Sequence, residues 1–149
     1  MYITLKFLHI LLAIIAVGFT SSFGLIAARA GAGGADGREM KFALGTIRTM
    51  SLVAHICYLL LLVTGFGLMH VAGYPWYTWL KWSVGLFAVA LLAGQFVMLP
   101  SVKKRLAMLE AKGPADPAFI AASKQSAMLG AILGVMTLVI LWLMVAKPA

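Results

Sequence analysis

The chain has 149 residues, of which 63% are hydrophobic and only 11% are charged, and its mean hydropathy is +1.02. These values exclude a water-soluble globular enzyme, because soluble domains carry about 25% charged residues and fewer apolar ones. The net charge of +8 comes from short basic clusters between long apolar stretches, so it indicates membrane topology rather than nucleic-acid binding.

Four stretches without Asp, Glu, Lys or Arg cover residues 7–28, 49–80, 82–102 and 125–146. A hydrocarbon core of about 30 Å needs roughly 20 helical residues, so each stretch is long enough to span it. The second is too long for one upright helix and contains Gly73-Tyr74-Pro75, which favours a turn. The sequence therefore predicts an all-α integral membrane four-helix bundle with up-down topology, a single transmembrane domain over residues 1–149. Its helices are predicted near residues 3–28, 47–70, 79–110 and 124–146.

Nine of the twelve Lys and Arg residues lie in or beside the first and third connections. These nine are Arg29, Arg38, Lys41, Arg48, Lys103, Lys104, Arg105, Lys112 and Lys124. The other three, Lys6, Lys81 and Lys147, belong to the opposite side. Because cytoplasmic loops are enriched in Lys and Arg, we expect both basic connections in the cytoplasm, bound to anionic lipid, and both termini on the outer side. Aromatic residues between positions 74 and 82 mark the outer headgroup boundary.

Small and polar residues, through which membrane helices pack, form stripes on three of the predicted helices. The stripes are Ala16, Thr20, Gly24 and Ala28; then Lys81, Gly85, Ala88, Leu92 and Gln95; then Ser126, Gly130 and Gly134. His9 precedes Ala16 by two helical turns and lies on the same face. That face is predicted to point into the bundle.

The chain has three histidines, His9, His55 and His70. Counted from the inner anchors Arg29 and Arg48 at 1.5 Å per residue, His9 and His70 both lie about 30 Å away, near the outer surface. His55 lies only about 10 Å above Arg48, so it is not expected to share a metal with His9. For His55 we favour a hydrogen bond to a neighbouring helix over a ligand or proton-relay role.

Two lysines, Lys6 and Lys81, belong to the same outer level as His9 and His70. Two imidazoles and two ammonium groups predict a haem site, with His9 and His70 as iron ligands and Lys6 and Lys81 paired with the propionates. The alternative is that His70 faces solvent and that both lysines extend to the lipid headgroups.

Three short segments resemble the HemJ-type protoporphyrinogen IX oxidases, a grouping that includes CopD-like copper-resistance domains. Residues 5–10, Leu-Lys-Phe-Leu-His-Ile, resemble the family's Lys-x-x-His-Ile, residues 64–68 resemble its Thr-x-Gly-Leu region, and residues 75–81 resemble its Trp-Leu-x-x-Lys. The resemblance implies that His9 ligates haem b and that Lys81 matches the family's lysine. Residues 22–29 lack the family's Tyr-Leu-Pro-Arg-Leu-Phe. We therefore place the chain with related small proteins of the bacterial inner (cytoplasmic) membrane, not with the oxidase itself.

The function that these patterns favour is haem b binding near the outer face and a part in membrane redox chemistry. Two other functions stay open: a non-catalytic accessory or structural subunit, alone as a homo-oligomer or within a larger membrane complex, and CopD-like copper handling. The nine methionines form no Met-x-x-Met run, so we interpret them as packing residues. No carboxylate falls in a predicted span, which argues against an ion pump built on a buried acid.

Overall fold

The computed structural model describes residues 1–32 and 37–148, most of them helical. The helices are α1 (Tyr2–Ala32), α2 (Gly37–Ala72), α3 (Thr78–Ala93), α4 (Leu99–Lys112) and α5 (Pro117–Ala146). A π-helical turn, Gly94–Met98, joins α3 to α4, so that the two form one span, Thr78–Lys112. The chain thus has four helical spans long and apolar enough to cross a membrane, which confirms the predicted all-α four-helix bundle.

The helices start earlier than predicted on the basic side. The second begins at Gly37 rather than near residue 47, and the last at Pro117 rather than near residue 124. Charged side chains outside the hydrocarbon reach water, and Arg, Lys, Glu and Met all favour helix, so the helices continue past their last apolar residue. At the start of α5 the Asp116 carboxylate accepts a hydrogen bond from the Phe119 backbone N–H at 3.3 Å, a typical N-cap ahead of a first-turn proline.

The two ends of the bundle are defined by contacts between its connections. At one end Lys147 Nζ donates to the Tyr74 hydroxyl at 3.3 Å, and Leu5 packs against Gly67. At the other end Lys41 Nζ pairs with Glu110 Oε1 at 2.7 Å. The start of α1, the α2–α3 turn and the end of α5 therefore share one end, and both basic connections share the other. This confirms the up-down topology, and the positive-inside rule predicts that the basic end is cytoplasmic.

A hydrophobic cluster of Leu44, Leu109 and Phe119 holds α2, α4 and α5 together at the basic end. Leu44 lies about 6 Å beyond Arg48, outside the predicted hydrocarbon layer. Water reaches this level, so burial of apolar area stabilises the contact here, as it does in a soluble protein. Within the bilayer that driving force is absent, because lipid tails are as apolar as the side chains.

Inside the bilayer the helices meet through small and polar groups. Thr20 Oγ1 and the Tyr58 hydroxyl lie 3.0 Å apart and join α1 to α2, and Ala16 on the same face is fully buried. The hydroxyls of Ser101 and Ser126 lie 2.6 Å apart and join α4 to α5. The predicted stripes on the first and last helices therefore face neighbours at these positions.

Other parts of the stripes are exposed, contrary to their expected packing. Gly24 and Ala28, at the basic end of α1, are exposed. The stripe on the third span is exposed along its whole length, from Lys81 through Gly85 and Ala88 to Gln95. In the described part of the chain, this face has no helix packed against it.

Candidate functional site

The His9 imidazole lies between α1 and α2, where it meets Thr64. His9 Nδ1 and Thr64 Oγ1 are 2.9 Å apart. Thr64 Oγ1 also lies 2.9 Å from Leu60 O and 3.1 Å from Leu61 O, and it can donate its single hydrogen to either carbonyl. We infer that Oγ1 then accepts from Nδ1, which would carry the proton of the neutral ring. This tautomer leaves the lone pair on Nε2, the arrangement found in metal-ligating histidines whose other ring nitrogen donates to the protein.

Two glycines of α2 allow α1 to approach closely at this point. A Cβ built on Gly65 would lie 3.2 Å from His9 Cε1, and one built on Gly67 would lie 3.0 Å from Leu5 Cδ2. At Gly67 the neighbour is the flexible end of Leu5, which can shift, whereas at Gly65 it is the His9 ring, which is held by Thr64. Gly65 is therefore the position where the present packing depends on glycine. Residues 5–10 and 64–68, separate in the sequence, therefore form one contact in the fold.

His70, the second predicted ligand, is exposed and lies apart from His9. It follows Thr64 by more than one helical turn, which places it about 9 Å further out and turned about 120° away from the α1 contact. His70 lines an open cleft of about 430 Å³ with Phe66, Met69, Gly73, Tyr74, Pro75 and Trp76. The structure does not bring the two histidines together.

His9 meets Thr64 rather than a residue near His70, so this contact does not support the expectation that His9 and His70 share one depth. That expectation assumed that Arg29 and Arg48 lie at the same level. The His9–Thr64 pair sets the antiparallel register of α1 and α2, and continuing that register places Arg29 opposite Leu44. Arg48 is therefore about 6 Å nearer the bilayer centre than Arg29.

The two lysines of the predicted site lie at the same end of the bundle as His9, and both are exposed. Lys6 Nζ lies 5.9 Å from the centroid of the Tyr2 ring, a cation–π contact near the start of α1. Lys81 is in the first turn of α3, where its backbone N–H donates to Tyr77 O at 3.1 Å. Of the four predicted site residues, His9 is the one packed between helices.

His55 lies in the half of α2 nearer the basic end of the bundle, against the π-helical turn. A Cβ built on Gly94 would lie 3.9 Å from His55 Cε1. Among the described residues no hydrogen bond to the His55 side chain is present, so its expected partner on a neighbouring helix is not found there. The same residues contain no group of three or more His, Cys, Asp and Glu side chains placed to hold a metal ion.

Sequence reasoning missed two functional features. It quoted Thr64 within a motif without pairing it with His9, because the pairing depends on the register between two helices. It also counted Arg105 with the other basic residues of the third connection and did not predict its burial, whereas this residue is only 7% exposed. The available signal was the position of Arg105 between Val102 and Leu109, on one apolar face of α4.

Four apolar spanning helices with short connections define a multi-pass integral membrane protein. One histidine, His9, is held between two of these helices. A family model described as predicted integral membrane protein (DUF2269) matches residues 3–148, and the chain belongs to this family. No curated protein and no solved structure matches the chain at a significant level. The comparisons link the chain to this family and give no link to HemJ-type or CopD-like proteins.

Proposed function

We propose that the protein binds haem b at the outer end of the bundle through His9 and takes part in redox chemistry within a bacterial inner membrane. The observation that carries the proposal is the hydrogen bond between His9 Nδ1 and Thr64 Oγ1, which lie 2.9 Å apart. It holds the ring in place and leaves Nε2 as the nitrogen that would bind the iron. The motif resemblance at residues 5–10 adds independent support.

From this chain, His9 would hold the haem iron. His70 is turned away from the α1–α2 contact, so we do not include it as a ligand. Lys6 and Lys81 lie at the level of the outer headgroups, where their ammonium groups are suited to pair with two propionates. Thr64 orients the imidazole, Gly65 admits it between the helices, and the apolar surroundings limit water access.

When bound, haem b supplies one-electron chemistry at its iron. The residues of this chain contribute the ligand, its orientation and the charge at the outer surface. No carboxylate lies in a predicted span, so we assign no proton transfer to acidic residues inside the bilayer.

The test is an air-oxidised and a dithionite-reduced absorption spectrum of protein purified in mild detergent from cells given iron and haem precursor. We expect sharp reduced bands in the wild type and their complete loss in His9→Ala. His70→Ala is the matched control and should keep them. Thr64→Val removes the acceptor for Nδ1 and is expected to weaken haem binding about 10–100-fold.

A featureless wild-type spectrum would reject the proposal, as would bands that survive in His9→Ala. Circular dichroism and gel filtration of each variant establish that its helices and its oligomeric state are unchanged. Loss of haem in a variant that fails these controls does not count as support.

One observation favours the second candidate function, that of a subunit in a homo-oligomer or a larger membrane complex. The stripe of Gly85, Ala88 and Gln95 is exposed on the third span. Gln95 lies about 25 Å along that span, so its amide faces hydrocarbon. A hydrogen-bond partner on another helix would stabilise it, and the small residues permit close approach.

This candidate predicts a complex that depends on the stripe. In native membranes solubilised gently, Gly85→Leu and Gln95→Leu should reduce the assembled form to monomer size on a native gel. Gly134→Leu is the matched control, because Gly134 is also exposed and its Cβ would meet nothing within 4 Å. A wild-type protein that migrates alone at monomer size would remove this candidate.

A further inference from the structure

Arg105 is a buried guanidinium at the basic end of the bundle, far from His9. The residue is 7% exposed, between Val102 at 2% and Leu109 at 6% on the same face of α4. Its Nε is shut off from solvent and has no hydrogen-bond partner. The neighbouring buried cluster of Leu44, Leu109 and Phe119 is apolar.

The charge on Arg105 has no counter-ion in the described part of the chain. Glu110 pairs with Lys41 at 2.7 Å, Asp116 caps α5, and Glu39 is exposed. A guanidinium stays protonated under all ordinary conditions, and burying it without an anion is costly. Arg105 is therefore a buried cation without an anionic partner among the described residues.

The depth of Arg105 indicates where the missing anion comes from. Counted from Thr78 at the outer end, Arg105 lies about 40 Å along the third span. A bilayer measures about 40–45 Å including its headgroups. Arg105 is therefore level with the phosphate groups of the inner leaflet.

The surrounding charge favours an anion over any cation. Lys103 and Lys104 are exposed next to Arg105 on α4, and Arg48 and Lys124 are exposed on α2 and α5. Such basic clusters attract anionic lipid by about 1 kcal/mol per residue. The exposed lysines attract an anion but do not hold it in one place. A recessed guanidinium has planar N–H groups whose geometry matches the oxygens of a phosphate.

We propose that Arg105 is the centre of a site for a phosphate group, that of an anionic phospholipid of the inner leaflet. The site is independent of the proposed haem function. Free inorganic phosphate would bind through the same contacts, and the experiment below distinguishes it from a lipid headgroup. The exposed lysines beside it steer the headgroup, and Arg105 binds it.

The experiment compares full-length wild type, Arg105→Gln and Lys104→Gln in a neutral detergent. Each is heated alone, with phosphatidylglycerol, with phosphatidylcholine and with inorganic phosphate. Phosphatidylglycerol should raise the Tm of the wild type and of Lys104→Gln by about 5 °C, and that of Arg105→Gln by less than about 1 °C. Native mass spectrometry should show bound phosphatidylglycerol on the first two and none on the third.

A second measurement separates a ligand site from a structural role. Without added lipid, Arg105→Gln should be at least as stable as the wild type, because the substitution removes an uncompensated charge. Stabilisation by inorganic phosphate that matches the lipid effect would support the site and assign it to a soluble phosphate. The proposal is overturned if Arg105→Gln responds to phosphatidylglycerol as the wild type does, or if it loses stability in neutral detergent without lipid.

Discussion

Replacing Phe119 by alanine is expected to lower the free energy of unfolding by about 3–5 kcal/mol. Phe119 is 3% exposed and packs with Leu44 and Leu109, which joins α5 to α2 and α4. The cluster lies beyond the hydrocarbon layer, so loss of the ring forfeits both dispersion contacts and a hydrophobic contribution. No comparable cluster of buried apolar residues is present in the bilayer-spanning part of the described helices.

The measurement is a denaturant titration in mixed detergent micelles, followed by circular dichroism and by tryptophan fluorescence. Phe42→Ala is the matched control: Phe42 is 78% exposed at the same end of the bundle, and its removal should change stability by less than about 0.5 kcal/mol. Equal losses for the two variants would show that the cluster does not hold the bundle together.

The number of spans and their order could be predicted because bilayer thickness fixes the length of an apolar helix. The clustering of basic residues likewise predicted which connections share an end, and the pairs Lys41–Glu110 and Lys147–Tyr74 confirm it. Helix ends were less predictable, since a charge ends an apolar stretch without ending a helix. Gly37 and Pro117 show this at the basic end.

The candidate site could be predicted only in part. His9 was chosen because an ionisable residue on a small-residue face points inward, and the structure places it there. The partner of His9 depends on the register between α1 and α2. A shift of one helical turn moves one helix by about 5 Å along the other and would pair His9 with a different residue. Helical periodicity shows which residues share a face but not which helix packs against that face. The exposure of the stripe on the third span and the burial of Arg105 could therefore be seen only in the structure.

Replacing Gly65 by leucine is expected to open the contact between α1 and α2 and to cost about 2–4 kcal/mol. A Cβ at this position would lie 3.2 Å from His9 Cε1. The ring is tied to Thr64 through Nδ1 and cannot move aside without losing that bond. The cost combines overpacking, about 1–3 kcal/mol, with a lost hydrogen bond, about 1 kcal/mol.

Gly24→Leu on α1 is the matched control, because Gly24 is exposed and its Cβ would meet nothing within 4 Å. That variant should be neutral or slightly stabilised, since leucine favours helix more than glycine does. Denaturant titration gives the stabilities, and the reduced absorption spectrum gives the state of His9. If Gly65→Leu kept both the wild-type stability and the wild-type spectrum, the close approach of His9 to α2 would be wrong. If it lost haem while Gly24→Leu retained it, the contact between residues 5–10 and 64–68 would be established as the support of the ligand.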